Sequence, residues 1–369
     1  MTLNYAPHSG GDSQNTQTVC FVDLVFSQPV KCVIGVDLGG TNVRAGAFFE
    51  DGSEAGPSFQ HPSYAQSGMA GVIDAIAKAV SEAVSASEQS PQSVGLAIPG
   101  HIDDVKGMVY WAPNFGETID GVFHNWIDVP VREMLQPKIG LPVHMDNDAN
   151  MAALGEYRFG SGKNKAKCLV MLTVGTGIGG GVILSPDAVL GDARGPLVLV
   201  GGNKGGAELG HTIVNYQGMD CRAGEYGAIE GYCGRDAIVQ RALHRVNRGR
   251  ESTMLGLVEG DISKITPLVI AQAAEAGDEV AIEVWEEVGT MLGVGIGNFI
   301  NIFAPDIVAI GGNIARAGDL LLKPAIKAAR NVAIASLFRD AKIQVAEQID
   351  DAGMLGGAAL ALEALKWEK

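Results

Sequence analysis

The chain has 369 residues, of which 47% are hydrophobic and 19% charged, and its formal net charge is −15. This length suffices for two compact domains with hydrophobic cores. A chain this acidic repels a phosphate backbone, and its lysines and arginines form no basic patch, so we expect no nucleic-acid partner. The five cysteines are odd in number and include no CxxC pair, which indicates thiols in a reducing compartment.

The first thirty residues are expected to form an extension that precedes the folded part. Residues 1–17 are rich in Ser, Gln, Asn and Gly, and residues 19–30 are compatible with an added edge strand. The first basic residue is Lys31, so a secretory signal is not predicted. The apolar runs are too short or too polar to span a bilayer. We therefore expect a cytoplasmic protein with no membrane partner.

Further along, the chain alternates predicted strands and helices. Residues 33–49 and 168–184 share the pattern strand, glycine turn, strand. A helix is predicted at 69–86, a strand at 93–100, another helix from about Ala149, helices over most of 236–303, a strand at 306–313 and a helix near 354–367. This alternation indicates layered α/β domains, and the repeated hairpin indicates two related halves with a ligand cleft between them.

The first glycine turn is suited to a phosphate and a cation. Gly39 and Gly40 admit a phosphate close to backbone N–H groups, and Thr41 adds a hydroxyl donor. The carboxylate of Asp37 is a candidate Mg²⁺ ligand, directly or through water. The same residues also describe an ordinary hairpin, so this short stretch leaves both interpretations open.

The second turn contains a formal GxGxxG pattern that begins Gly175, Thr176, Gly177. A dinucleotide-binding turn must open a helix, whereas residues 182–184 read as another strand, so a second phosphate-gripping hairpin fits better. A third turn, Gly311-Gly312-Asn313, is a simple turn by default and a candidate for lying beneath an adenosine.

Asn147 and Asp148 stand where a predicted strand becomes a helix. Either residue is suited to cap the helix. A carboxylate there is favoured in its ionised form by the helix dipole, and an ionised carboxylate can accept a hydroxyl proton during phosphoryl transfer. Glu208, His211 and Glu230 offer donors and acceptors for sugar hydroxyls, although surface carboxylates and a structural histidine are equally ordinary explanations.

Taken together, the motifs resemble those of the ROK family of sugar kinases and sugar-responsive repressors, particularly its glucokinases. The match runs from about Cys32 to the C-terminus. It comprises GVDLGGTNVRAG, GLAIPG, APN, LPVHMDNDANMAALGE, LTVGTGIGGG, GAELGH, IVAIGGN and GMLGGAALA, in that order.

The resemblance implies an α/β fold of the two-domain actin-like ATPase (ribonuclease H-like) class, with a cleft between the domains. The small domain would comprise 31–147 plus about 353–369, and the large domain 148–352. Asp148 would be the catalytic base and also contact the sugar. The other implied sugar contacts are Asn114, Asn147, Glu208, His211 and Glu230. The implied phosphate motifs are Asp37, Gly39, Gly40 and Thr41, and Gly175, Thr176 and Gly177. A homodimer is also implied.

One departure concerns a zinc motif that the family usually carries, of the form CxCGxxGCxE. Here Ala223 and Ala228 stand where the second and third cysteines are expected, and only Cys221 remains. With His211 this leaves two candidate ligands where a structural zinc needs four, and Cys233 is out of register. We therefore expect no zinc, and expect another group to orient His211.

The predicted function is a glucokinase that uses ATP and Mg²⁺ to phosphorylate the 6-hydroxyl of glucose. The alternatives are a kinase for fructose, mannose, allose or an N-acylhexosamine, polyphosphate as the donor, and a non-catalytic sugar-binding regulator. The repressor branch of the family carries a helix-turn-helix module. About 35 residues precede the first glycine motif and show no helical period, which disfavours such a module.

Overall fold

A computed structural model describes residues 31–163, 165–185, 198–199, 201, 207–221 and 224–367. The expected extension over residues 1–30, with its edge strand and Cys20, lies outside this part of the chain. Arg222, Ala223 and the last two residues also lie outside it.

The first five-stranded sheet has the order β3-β2-β1-β4-β8. Strand β1 pairs antiparallel with β2 and parallel with β4, and β4 pairs parallel with β8. The apolar runs predicted as strands are buried within it, as the fully buried β4 shows. The strands are β1 (Cys32–Leu38), β2 (Asn42–Phe49), β3 (Phe59–Pro62), β4 (Val94–Ile98) and β8 (Val143–Asn147).

The second five-stranded sheet has the order β11-β10-β9-β12-β13. Strand β9 pairs antiparallel with β10 and parallel with β12, and β12 pairs parallel with β13. Its pairing repeats that of the first sheet, which confirms the two related halves that the repeated hairpins predict. The strands are β9 (Cys168–Val174), β10 (Ile178–Leu184), β11 (Val198–Leu199), β12 (Ile307–Gly311) and β13 (Lys342–Val345).

A three-stranded antiparallel sheet, which the sequence analysis did not predict, lies between β4 and β8 in the chain. It consists of β5 (His101–Asp103), β6 (Met108–Ile119) and β7 (Val122–Val129). The register of β6 and β7 shifts between Ala112 and Gly116, and Asn114 within this bulge has a φ of 64°. Asn tolerates this left-handed backbone better than most residues, so the bulge projects Asn114 out of the strand.

The helices cover the faces of the two large sheets. The helix at Glu279–Phe303 begins after Asp278, whose carboxylate accepts a hydrogen bond from the Ala281 N–H at 2.9 Å. The helices are α1 (Gly68–Ala86), α2 (Val131–Ile139), α3 (Asp148–Phe159), α4 (Ile229–Cys233), α5 (Arg235–Asn247), α6 (Met254–Leu257), α7 (Pro267–Glu275), α8 (Glu279–Phe303), α9 (Asp319–Val332), α10 (Ala335–Asp340) and α11 (Ala352–Trp367). Within the described residues no helix is both long enough and apolar enough to cross a membrane.

The last helix packs unusually closely on the first sheet because glycines meet at the contact. A Cβ on Gly95 of β4 would lie 1.8 Å from the carbonyl oxygen of Gly357 on α11, and one on Gly35 of β1 would lie 1.9 Å from the Met354 oxygen. The C-terminal glycine motif therefore permits this close contact between helix and sheet. The domain limits expected at 147/148 and near 353 stay predictions.

Candidate functional site

A cavity of about 980 Å³ opens beside the bulge of β6, the start of α3 and the turn between β9 and β10. Eleven residues singled out from the sequence lie on its wall, so residues far apart in the chain share one site. They are Asn114, Asn147, Asp148, Gly175, Thr176, Gly177, Glu208, His211, Glu230, Gly312 and Asn313.

The remaining candidate residues are not on that wall. Gly311 is buried at the end of β12, where a Cβ would lie 2.5 Å from the Met171 side chain. The first glycine turn, with Asp37, Gly39, Gly40 and Thr41, lies outside the lining as well. Asp37 is nevertheless close enough to Asp148 for the two charges to affect each other, so the first turn borders the site.

The junction between β8 and α3 divides two roles between neighbouring residues. Asn147 caps α3, because its side-chain oxygen accepts hydrogen bonds from the N–H groups of Ala149 at 2.9 Å and Asn150 at 3.3 Å. Its amide group donates to the Gly100 carbonyl at 3.0 Å. The cap position is thus taken by Asn147, which leaves Asp148 as the first helical residue with its carboxylate on the cavity wall.

The Asp148 side chain is surrounded by protein atoms and is exposed where it faces the cavity. Burial raises the pKa of the Asp148 carboxyl, and the charge of Glu208 raises it further, whereas the Ala149 N–H lowers it. The effect expected from the helix terminus is therefore opposed by desolvation. A carboxylate with a raised pKa is a stronger base, which suits it to accept a proton from a hydroxyl.

The surroundings of Asp37 fit a divalent cation. Burial raises the pKa of Asp37 to about 6, the neighbouring Asp148 contributes to this rise, and Arg44 opposes it. Arg44 is itself engaged by the carboxylate of Asp351 and by the carbonyl of Asp350. A cation would relieve the repulsion between the two carboxylates, and carboxylate oxygens are the ligands that Mg²⁺ prefers.

Glu230 holds the second glycine turn. One of its carboxylate oxygens accepts a hydrogen bond from the Ile178 N–H at 2.8 Å. A Cβ on Gly177 would lie 2.4 Å from the same oxygen, so this position accommodates only glycine without a shift of the glutamate. Glu230 was expected to contact the sugar, and the structure adds a contact with the turn that the sequence analysis did not anticipate.

Glu208, which also lines the cavity, lies between two histidines. The His211 Nε2 is 3.8 Å from one carboxylate oxygen of Glu208, and the His101 Nε2 is 3.7 Å from the other. The His101 ring also lies against Trp111, with ring centroids 5.6 Å apart. His101 and Trp111 were not among the residues predicted from the sequence. The available signal was the position of His101 directly after the Pro99-Gly100 turn.

The neighbourhood of the missing zinc motif holds one more candidate ligand than the sequence suggested. Ligand atoms of His211, Cys221 and Glu225 all lie within 4.8 Å of one another. Glu225 therefore adds a third candidate ligand to the two counted from the motif, His211 and Cys221. The thiol of Cys233 points elsewhere and donates to the Val288 carbonyl at 3.4 Å.

The comparisons with known proteins agree on one family. The model of the ROK family matches residues 33–364. The glucokinase of Thermotoga maritima is 34% identical over 335 residues, which are 91% of this chain and 98% of the relative. A xylose repressor of Caldicellulosiruptor bescii is 32% identical over 294 residues, which are 79% of this chain and 67% of the repressor.

The chain also resembles a solved structure of a ROK family glucokinase from Streptomyces griseus in complex with glucose and AMPPNP. The TM-score is 0.72 and the identity 34%, with 90% of this chain and 99% of the other chain covered. These matches confirm the expected α/β fold of the actin-like ATPase class.

Proposed function

The chain belongs to the ROK family, and on that premise we propose that it is a glucokinase that transfers the γ-phosphate of ATP to the 6-hydroxyl of glucose. The observation that carries the proposal is the carboxylate of Asp148, which is not used as a helix cap and lies on the wall of the cavity. The similarity to glucokinases over nine-tenths of the chain supports glucose as the sugar.

In the proposed reaction Asp148 accepts the proton of the sugar hydroxyl as its oxygen attacks the γ-phosphorus. The raised pKa of Asp148 supports this role, because a base that binds a proton more readily helps the attacking oxygen lose it. Asn114, Asn147, Glu208 and His211 bind the sugar hydroxyls, and Glu230 contributes while holding the turn. Positioning and charge neutralisation supply most of the rate enhancement.

The nucleotide is proposed to lie along the second glycine turn. Backbone N–H groups of Thr176 and Gly177 bind its phosphates, while the Gly175 N–H donates to the Gly177 carbonyl at 2.9 Å and shapes the turn. Gly312 and Asn313 lie beneath the adenosine. Gly39, Gly40 and Thr41 approach the phosphates from the first turn, and Asp37 would hold Mg²⁺, directly or through water. When bound, Mg²⁺ neutralises charge on the phosphates.

The sugar is tested by measuring ADP release with a panel of hexoses and N-acylhexosamines, with ATP or polyphosphate as the donor. We expect the highest kcat/KM for glucose with ATP. A higher value for fructose, mannose, allose or an N-acylhexosamine would replace glucose by that sugar, and a preference for polyphosphate would replace the donor. Absence of transfer to every sugar, with sugar binding retained, would contradict a kinase.

The second candidate function is that of a sugar-binding regulator, which the similarity to the xylose repressor supports. A gel-shift assay with the promoter region of its own gene distinguishes the two functions. A kinase produces ADP with glucose and shifts no DNA, whereas a repressor shifts DNA in a sugar-dependent way.

We further propose a homodimer in the cytoplasm. The thiols of Cys32, Cys168 and Cys233 are buried and form no disulfide, which fits a reducing compartment. Sedimentation of the purified chain tests the oligomeric state, and a monomer at micromolar concentration would contradict it.

A further inference from the structure

We propose that His211, Cys221 and Glu225 form a divalent metal site of altered composition, in which a carboxylate has taken over from thiolates. Nitrogen, sulfur and oxygen ligands in one cluster are typical of a zinc site. The inference concerns the ligands of this particular chain and does not depend on which sugar it phosphorylates.

A tight turn brings two of the three ligands together. Asp220 and Tyr226 form an antiparallel bridge, and the Cys221 N–H donates to the Glu225 carbonyl at 2.7 Å. The Gly224 N–H donates to the Cys221 carbonyl at 2.9 Å and closes the turn. These backbone hydrogen bonds hold Cys221 and Glu225 at the base of the turn. The turn therefore fixes the positions from which the two side chains reach the cluster.

The third ligand comes from the short 3₁₀ helix at Leu209–His211. The His211 Nδ1 faces Glu225, 3.5 Å from its Oε2, and the ligand atoms of both residues lie within 4.8 Å of the Cys221 sulfur. Two separate segments of the chain therefore meet at the cluster.

Two buried polar atoms in this cluster have no hydrogen-bond partner: the His211 Nδ1 and the Glu225 Oε2. Leaving a buried nitrogen or carboxylate oxygen without a partner is unfavourable, and more so for a charged group. The two atoms are 3.5 Å apart, which is within ion-pair distance, but no hydrogen bond joins them. A metal ion between them would satisfy both, and this is an independent sign of a ligand.

The chemistry of this site differs from that of the zinc motif it resembles. That motif offers three thiolates, whereas here Ala228 is buried where the third would stand and Glu225 supplies an oxygen. A thiolate, a carboxylate and a neutral imidazole balance the charge of one divalent ion. Three protein ligands leave a fourth position for water, as in exchangeable rather than closed sites. We therefore expect weaker and more reversible metal binding than by a four-ligand site.

Metal binding would also fix the ring of His211 toward the sugar cavity. With Nδ1 bound to the metal, the proton of the neutral ring resides on Nε2, which lies 3.8 Å from Glu208. The ring would then present a hydrogen-bond donor to the cavity. This supplies the group that the sequence analysis required for orienting His211.

Cobalt(II) is the probe that tests the site, since it reports thiolate coordination by its absorption. The full-length chain is stripped with a chelator, exchanged into buffer without magnesium, and titrated with cobalt. We expect one equivalent per chain and a thiolate-to-cobalt charge-transfer band. Cys221→Ser should abolish the band. Glu225→Gln should weaken cobalt binding by at least the about 10–100-fold that loss of an outer partner costs.

Glu286→Gln is the matched control, because Glu286 is exposed on α8 outside the cluster. It should bind cobalt like the unaltered chain. Circular dichroism of the stripped variants separates loss of a ligand from loss of folding, and Glu225→Gln, which alters a partly exposed side chain, serves if Cys221→Ser does not fold. No cobalt uptake by the folded unaltered chain, or equal uptake by Glu225→Gln, would overturn the proposal. Both readouts are independent of sugar phosphorylation.

Discussion

The two halves of the molecule fold the same way and carry different chemistry at matching positions. The registers of their hairpins align Asp37 with Thr173, and Arg44 with Gly179. The first hairpin therefore carries a charged pair, whereas the second carries a hydroxyl next to a glycine whose Cβ would lie 2.6 Å from it. A carboxylate reaches the second turn from outside the hairpin, since Glu230 accepts a hydrogen bond from the Ile178 N–H.

This difference indicates that the two turns bind different ligands although their backbones fold alike. A carboxylate at the first turn suits a cation, whereas a carboxylate there in the second half would repel a phosphate. Glu230 does not contradict this, because one of its oxygens is occupied by the Ile178 N–H at 2.8 Å. A repeated backbone thus supplies two turns, and a few substitutions decide which ligand each turn receives.

Removing the Asp37 carboxylate from the first hairpin has the largest expected effect and tests whether the two hairpins bind different ligands. With Asp37→Ala we expect kcat/KM to fall by about 10²–10³, the typical effect of losing a group that stabilises developing charge. Excess Mg²⁺ should restore part of the activity. Steady-state kinetics at several Mg²⁺ concentrations measure both effects, with Glu286→Gln, an exposed residue outside the cavity lining, as a control. An Asp37→Ala enzyme of unchanged activity and Mg²⁺ dependence would show that the cation binds elsewhere.

The second prediction concerns Asp146 of β8, which matches the buried Ala346 in the other half. Burial raises the pKa of Asp146 from 3.8 to about 6, and the N–H of Asn147 and the amide of Asn150 only partly oppose this. The folded protein therefore binds this proton more tightly than the unfolded chain. Above pH 6 the ionised, buried group destabilises the fold by on the order of 3 kcal/mol.

Asp146→Asn should consequently raise the free energy of unfolding by about this amount at pH 7. The difference should shrink as the pH falls from 6 and vanish below about 4, where the carboxyl is protonated in both states. Urea unfolding across this pH range measures it. Equal stability of the two proteins at pH 7 would mean that hydrogen bonds compensate the burial completely.

The third prediction breaks the second turn. Gly177→Ala would place a Cβ 2.4 Å from the Glu230 Oε2 and displace the carboxylate from the Ile178 N–H. Losing a hydrogen bond of this kind costs about 1–3 kcal/mol, so we expect the KM for ATP to rise roughly tenfold or more while the glucose KM changes less. Gly256→Ala, where a Cβ meets no atom within 4 Å, is the matched control. An unchanged KM for ATP would separate this turn from the nucleotide.

The smallest expected effect is that of His101, which reaches Glu208 across 3.7 Å. Both side chains are about half exposed, and such pairs contribute about 0.2–1 kcal/mol. His101→Ala should therefore raise the glucose KM by no more than about fivefold. His124→Ala alters an exposed histidine on β7 of the same sheet and should leave the glucose KM unchanged. Equal glucose KM values for both variants would show that His101 does not contribute to sugar binding.

Local patterns predicted the elements that are regular and buried. Both hairpins, the start of α3 near Ala149 and the C-terminal helix follow from apolar runs and glycines, and most candidate residues share one cavity as expected. The sheet β5–β7 was missed because its strands lack a long buried apolar run; β7 buries only two of its residues, and exposed residues interrupt the buried ones in β6. Glu225 was missed because a turn, and not sequence spacing, brings it to Cys221 and His211.

The junction at Asn147 and Asp148 shows where sequence reasoning stops. Both residue types cap helices, so the sequence does not determine which of the two residues caps α3. The structure assigns the cap to Asn147 through its two hydrogen bonds to the backbone. Asp148 accepts the Ala149 N–H at 2.8 Å with Oδ1, which leaves its Oδ2 for the cavity. Burial then raises the pKa of Asp148, an effect that depends on packing from distant segments.

The role of Asp148 is tested most directly by Asp148→Asn, with kcat and glucose binding measured on the same protein. Because Asn147 provides the cap, the substitution keeps helix α3 and the cavity intact. We predict that kcat falls by about 10²–10⁴ while the dissociation constant for glucose changes only slightly. A variant that phosphorylates glucose at nearly the original rate would contradict Asp148 as the base.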